Sequence, residues 1–408
     1  MRTDDLTGVL FSDGFLANEP HPHLARLRAD APIAFDAVQG VWVLSRYAEV
    51  QAASRDPATF CSGKGILLSE IGVSYDTPPT IMHTDPPDHT RYRKLVQPGF
   101  SPAALRSWSA GVASRAADGV SMLLATVGAA GAGVPVDVVA NLAVPFPLQV
   151  IADLLGIPDD DWPRFYEWSE AAIPGATDLP EDRIAELMGE MVTYLLAVAA
   201  ERRASPADDV VSRLATAAPD GDVLDDAELA MFLVQLLVAG NETTRNALSG
   251  GLLAFAEHPA EWARLRAAVA EGDDGLVASA VEEILRWTTP VAYFMRTTTR
   301  PVTLDGVDLP AGAPTMLLYL SANRDEAEFG PTASIFDIAR TPNHHLAFGS
   351  GPHFCLGAAL ARLELTAMLQ ALAPAVESFS SASTAPPTRS MSLVIAGLKA
   401  CPLVVIPA

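Results

Sequence analysis

Strand-like runs occupy the two ends of this chain, and helical patterns fill most of the length between them. APIAF and VWVL lie before residue 45, RTTTRPVTL and APTMLLYL follow residue 295, and MSLVIAG and PLVVIP come last. Short strands drawn from both ends argue for one interwoven domain over residues 1–408. Apolar residues recur at helical spacing over 46–55, 88–96, 102–126, 181–204, 225–256, 259–270, 276–287 and 358–372, with Asp, Ser or Pro near many of the starts. The expected fold class is mainly α with a minor β portion, without internal repeats. SFSSASTAPPTRS reads as a loop and SEIGVSYDTPPTIMHTDPPDH as a mobile surface segment.

With 408 residues, half of them hydrophobic, the chain is long enough to bury a large core. Its 27 Lys and Arg against 49 Asp and Glu leave a net charge of -22, which argues against a nucleic-acid partner. MRTDDLTGVLFSDGF has neither the basic flank nor the apolar core of a signal peptide, and AMFLVQLLVAG is too short to span a bilayer. A cytoplasmic location is expected.

Cys61, Cys355 and Cys401 lie far apart and form no CxxC pair, so neither a zinc site nor a disulfide framework is indicated. Cys61 and Cys401 read as small buried hydrophobes. Cys355 stands in HLAFGSGPHFCLG, where Gly349, Gly351 and Gly357 let the backbone approach a flat object and turn N–H groups toward the sulfur. The helical pattern ALARLEL follows at once, placing the sulfur near a helix N-terminus that favours an anion. One thiolate without a second cysteine or histidine at metal spacing suits a porphyrin, which supplies four nitrogens itself.

FGSGPHFCLG resembles the cysteine-ligand signature of the cytochrome P450 family, the haem-thiolate monooxygenases; Ser350 stands where many members carry glycine. The resemblance covers essentially the whole chain and implies the cytochrome P450 fold, haem b as cofactor, and Cys355 as iron ligand, with Phe348, Gly349 and Gly357 around it. VEEILRW is similar to the family's Glu-Arg helix: Glu283 and Arg286 share a face, and Arg340 is the implied third member of a buried cluster. LLVAGNETTRN matches the stretch that crosses the haem, with Ala239 and Gly240 against the cofactor, Thr243 as the oxygen-activating threonine and Glu242 as its acid, the two passing protons. Gly240 in a helix interior costs about 1 kcal/mol relative to alanine, for which close helix packing is the alternative reason. Asn241 departs from the usual histidine or glycine. His89 and Arg93 in DHTRYRKLV, Arg296 and His353 match the groups that hold the haem propionates.

Going back from Thr243 along one helical face gives Ala239, Gln235 or Leu236, and Phe232, which suit a core as well as a substrate pocket; by the same resemblance the pocket adds Ile66, Leu67, Leu68, Val291, Ala292, Phe294, Val394 and Ile395. All but Gln235 are apolar, so a hydrophobic substrate is expected, of the steroid, terpenoid or lipid kind, with polyketides and aromatics open. The implied reaction is hydroxylation or epoxidation with O2. No GxGxxG fingerprint is present, so electrons from NAD(P)H must arrive through a separate ferredoxin reductase and ferredoxin. Arg91, Arg93, Lys94, Arg106, Arg340, His344, His345 and Arg362 form a basic island that suits an acidic ferredoxin. A peroxide-driven peroxygenase, a haem-binding sensor or carrier, and a structural protein without cofactor are the alternatives. The Glu242-Thr243 pair argues against the first two.

Overall fold

The longest helix organises the rest. It runs over Asp226–Glu257, roughly 48 Å at the α-helical rise, and starts at a capping box in which Asp225 accepts from the Glu228 N–H and Glu228 from the Asp225 N–H. Leu229, Leu233, Leu237, Leu248, Leu252 and Phe255 are all buried, so apolar surface extends along its length and neighbours must cover it. The computed structural model describes all residues except 1–6, 13, 74–78, 173–176, 178, 208, 217–220 and 383–385.

In chain order the helices are α1 (His21–Asp30), α2 (Tyr47–Arg55), α3 (Asp88–Val96), α4 (Pro102–Ala130), α5 (Pro145–Leu155), α6 (Trp162–Ala171), α7 (Glu181–Ala204), α8 (Val210–Thr216), α9 (Asp226–Glu257), α10 (Pro259–Glu271), α11 (Asp274–Thr288), the short α12 (Tyr319–Ala322) and α13 (Glu326–Phe329), and α14 (Ala358–Ala375). α9 packs on α5, α7 and α11, and α4 lies along α14. None of the described helices is long and apolar enough to cross a membrane.

The larger sheet joins β1 (Ile33–Asp36), β2 (Val41–Leu44) and β3 (Phe60–Cys61) to β5 (Phe294–Thr298) and β8 (Pro314–Leu317), in the order β1-β2-β8-β5-β3. β2 and β8 run parallel and place Trp42 opposite Thr315, while β5 runs antiparallel and places Arg296 opposite the same residue. A smaller sheet sets β12 (Pro402–Pro407) between β4 (Val136–Asp137) and β9 (Val376–Ser381). Strands from distant parts of the chain therefore pair, as the sequence pattern requires.

Helices α3 and α7 keep the expected bounds. α4 runs four residues further, to a stop at Gly131 with φ 96°. α1, α5 and α6 were not expected. Each has a proline in its first turn, where the missing N–H costs nothing, so residues that read as breakers mark starts. MSLVIAG is a loop tied by an Ile395–Val291 bridge, and the neighbouring strand is Leu398–Ala400. APTMLLYL turns helical at Tyr319. SFSSASTAPPTRS contributes its start to β9 and its Thr388–Arg389 to a short ribbon, with 383–385 outside the described residues. The proline-bearing segment, apart from the undescribed 74–78, is braced: Glu70 accepts from the N–H groups of Ile66 and Leu67 and meets His83 Nε2 at 3.0 Å.

Candidate active site

Cys355 is delivered by a loop folded on its own backbone. Gly349 and Gly351 adopt left-handed φ values of 71° and 73°, a single 3-10 turn spans Gly351–His353, and the Cys355 N–H donates to the Phe348 carbonyl at 2.9 Å. A Cβ at Gly351 would also run into the Ser54 carbonyl of α2. The sulfur opens onto an interior cavity although it lies deep in the protein. Burial pushes the Cys355 thiol up. The N–H groups of Gly357 and Ala358 at the start of α14, and the guanidinium groups of Arg93 and Arg362, act in the opposite sense, toward thiolate.

His89, Arg93, Arg296 and His353 line the same cavity. The two imidazole rings lie 4.2 Å apart, Ser62 Oγ is 3.1 Å from His353 Nε2, and Arg93 Nη1 donates to the Phe354 carbonyl at 2.7 Å. Burial, then Arg296, His89 and Arg93, press His353 down to about 3. Burial and Arg93 also lower His89, with Asp85 opposing. Imidazoles whose protonation is opposed by burial and by the neighbouring guanidinium groups lie in a wall of positive potential that calls for anionic ligand groups. One cavity thiol and four basic side chains around it fit an iron porphyrin with two carboxylates.

Across the cavity α9 presents Phe232, Gln235, Leu236, Ala239, Gly240 and Thr243. The Thr243 hydroxyl donates to the Ala239 carbonyl at 2.7 Å. Gly240 has a packing reason for being glycine, since an added Cβ would sit 2.5 Å from Ile151 Cδ1 of α5. Asn241 is buried, and its Nδ2 donates to Ser169 Oγ of α6 at 2.9 Å. The cavity has a volume of about 230 Å³.

Glu242 is not where the proton-relay expectation puts it. Its carboxylate does not line the cavity; it binds Arg245, whose Nη1 donates to Glu170 of α6 at 2.6 Å, and Lys399 also pairs with Glu170. Burial holds the Glu242 carboxyl above the ordinary range against the pull of Arg245. Glu242 and Arg245 share the three-residue spacing of Glu283 and Arg286, which allows the pair without fixing which way it turns. The carboxyl that does line the cavity is Glu364 of α14, fully enclosed and raised well above its ordinary value by burial alone. It occupies a helical position between the buried Leu360 and Met368, where periodicity reserves an apolar residue.

Of the expected pocket residues, Ile66, Phe232, Gln235, Leu236, Val291 and Phe294 line the cavity; Leu67, Leu68, Ala292, Val394 and Ile395 do not. Leu68, Ala292 and Val394 turn into a separate apolar cluster under the larger sheet, Ile395 packs on Val238 and Val291, and Leu67 closes the turn on Glu70. Ile81, Met82, Phe100 and Ile151 complete the wall instead. The first three precede or follow α3, and Ile151 sits on α5, a helix absent from the sequence pattern.

Glu283 and Arg286 form a pair with no exposed side-chain surface, at 2.7 Å on both arms. Arg340 Nε reaches Glu283 at 3.1 Å, and Arg286 donates onward to the carbonyls of Asn323, Ala333 and Ile335. The cluster therefore pins α11 to the segment leading into the ligand loop. The basic island is mostly spent inside the molecule. Arg91 binds Asp222 and Glu228, both at 2.7 Å, Arg340 binds Glu283, and Arg362 and His345 bind Glu282 at 2.6 and 3.1 Å. Lys94, Arg106 and His344 remain exposed.

Glu282 staples both ends of the ligand loop to α11. Burial alone would raise its carboxyl, but Arg362 and His345 bring it to about 2, below its ordinary 4.5. A carboxyl lowered on folding adds stability that is complete above 4.5 and lost as pH falls toward 2. Glu282→Gln is therefore expected to flatten the rise of stability between pH 2 and 4.5 in urea unfolding, and an unchanged slope would show that Glu282 staples nothing.

The cytochrome P450 family model matches residues 181–373. A methyl-branched lipid omega-hydroxylase of Mycobacterium bovis is 37% identical over 398 residues, covering 93% of this chain and 89% of the relative. A steroid C26-monooxygenase of Mycolicibacterium smegmatis is 35% identical over 372 residues, covering 87% and 83%. The crystal structure of CYP109E1 from Bacillus megaterium in complex with corticosterone superposes with a TM-score of 0.82 at 30% identity, covering 95% and 98%. Likeness of this extent, together with a cavity built around one thiol and a cationic wall, places the chain in the cytochrome P450 family as a haem b monooxygenase.

Proposed function

We propose that this monooxygenase draws its electrons from a ferredoxin and oxidises hydrophobic substrates of the steroid, terpenoid or branched-lipid kind. Haem, when bound, supplies the oxygen chemistry, in which one atom of O2 enters a C–H bond or an alkene and the other leaves as water, with two electrons from NAD(P)H and two protons. The carrying observation is a single cavity that joins Cys355 to Thr243 under an apolar wall including Ile81, Ile151, Phe232 and Val291. The names of the lipid and steroid hydroxylases among the relatives support the substrate class.

In this reading Cys355 would ligate the iron, and His89, Arg93, Arg296 and His353 would hold the carboxylates of the cofactor. Ala239, Gly240, Phe348, Gly349 and Gly357 shape the space for its ring. Thr243 holds a proton-bearing hydroxyl at the cavity, and the enclosed Glu364 carboxyl, raised by burial, lines the same space. The exposed Lys94, Arg106 and His344 offer an acidic ferredoxin its contacts.

Spin-state titration of the haem-loaded protein against sterols, terpenoids and fatty acids tests the substrate class; a shift with small polar compounds alone would overturn it. Turnover with ferredoxin and reductase is expected to exceed turnover with H2O2, and the reverse order would make the chain a peroxygenase. Thr243→Ala is expected to keep the substrate-induced spin shift while diverting most electrons to H2O2, measured as NAD(P)H consumed against product formed. Full coupling in this variant would take Thr243 out of proton handling.

A further inference from the structure

Upstream of Thr243, every residue of α9 that lines the cavity is apolar except Gln235. Its Oε1 is buried and has no hydrogen-bond partner. Unpaired buried amide oxygens are costly, and native structures almost always satisfy them. The neighbouring cavity-lining residues on the same helix, Phe232, Leu236 and Ala239, have no side-chain donor to offer.

We propose that Gln235 is the polar anchor of the substrate and that the group it takes is a neutral hydroxyl, so the substrate is an apolar alcohol. This rests on the apolar-substrate reading above and narrows it. A carboxamide carries both donor and acceptor, as a hydroxyl does, and the broad χ3 torsion of glutamine turns either end toward the cavity. The hydroxyl thus pairs with Gln235 whichever end faces it.

Charge selects against the acid. The guanidinium groups on the cavity, Arg93 and Arg296, would face the carboxylates of the cofactor together with the imidazoles of His89 and His353, and α9 carries no cation beside Gln235. A carboxylate there would be a buried charge without a counter-ion. Position sets the shape of the ligand. Gln235 and Thr243 are two helical turns apart, roughly 12 Å along the axis. The anchored hydroxyl and the carbon to be oxidised therefore lie toward opposite ends of an elongated body.

The test uses the haem-loaded full chain and spin-state titration, which reads binding without turnover. The ligands are dodecanol, its methyl ether, dodecane and dodecanoate, with cholesterol and cholesterol methyl ether in parallel. Wild type is expected to bind each alcohol about tenfold more tightly than its ether, a difference of about 1.4 kcal/mol, and more tightly than the carboxylate. Gln235→Leu is expected to abolish the alcohol preference while keeping ether and alkane binding, which also reports an intact pocket. An alcohol-to-ether ratio that survives Gln235→Leu, or dodecanoate as the tightest wild-type ligand, overturns the anchor alone. If no apolar compound perturbs the spectrum, dodecane included, the substrate reading fails and the anchor with it.

Discussion

Cys355→Ser is expected to yield a protein that folds but holds haem weakly and lacks the reduced CO spectrum of a thiolate-ligated iron. The loop geometry survives the change, because the Phe348 carbonyl is bonded by the backbone N–H of residue 355 and the left-handed turns belong to Gly349 and Gly351. Only the ligand atom is altered. The N–H groups of Gly357 and Ala358 and the guanidinium groups of Arg93 and Arg362 favour a thiolate, and a serine hydroxyl is far too weak an acid to replace it. The test is a haem titration of the variant followed by reduction under CO. A spectrum identical to that of the parent would refute the assignment of Cys355, and with it the orientation given to the whole cavity.

Arg286→Ala is expected to prevent accumulation of folded protein. Arg286 sits with Glu283 at zero exposure, and its other arms satisfy three backbone carbonyls. Removing it leaves Arg340 as the one remaining guanidinium on the buried Glu283 and unpairs the Asn323 and Ala333 carbonyls from Arg286, and breaking a buried pair costs about 3–5 kcal/mol. That loss consumes much of a typical total stability of about 5–15 kcal/mol. Arg286→Lys keeps the charge without the fork and should be intermediate, since a single ammonium cannot reach both Glu283 oxygens and the carbonyls at once. Soluble yield and thermal unfolding of the two variants against the parent decide the matter. An alanine variant as stable as the parent would mean that the cluster is dispensable.

Local features are legible in the amino-acid sequence, and for a common reason. The bounds of α3 and α7 follow from apolar spacing and end signals within the segment itself. The loop around Cys355 follows from glycines whose left-handed φ is a property of each residue and its immediate neighbours. The Glu283–Arg286 pair follows from helical geometry, which puts positions three apart on one face. What sequence spacing did not supply was the direction of long side chains. Glu242 and Arg245 share that same spacing, yet Arg245 also binds Glu170, which Lys399 in turn holds, both from distant segments, and this network turns Glu242 away from the cavity. The expected pocket residues diverged in the same manner. Val291 and Ala292 are adjacent in an extended run, so one faces the cavity and its neighbour faces the opposite cluster.

The chain by itself determined eight of its helices, the turns of the cysteine loop and the Glu283–Arg286 pair, because each depends on residues within a few turns of one another. Only the tertiary structure decided that Glu364 rather than Glu242 faces the cavity, that Arg91 and Arg362 are paired internally, and which apolar residues wall the site. Those outcomes depend on which distant element arrives beside a side chain, and a buried charge or an apolar face takes its direction from that partner.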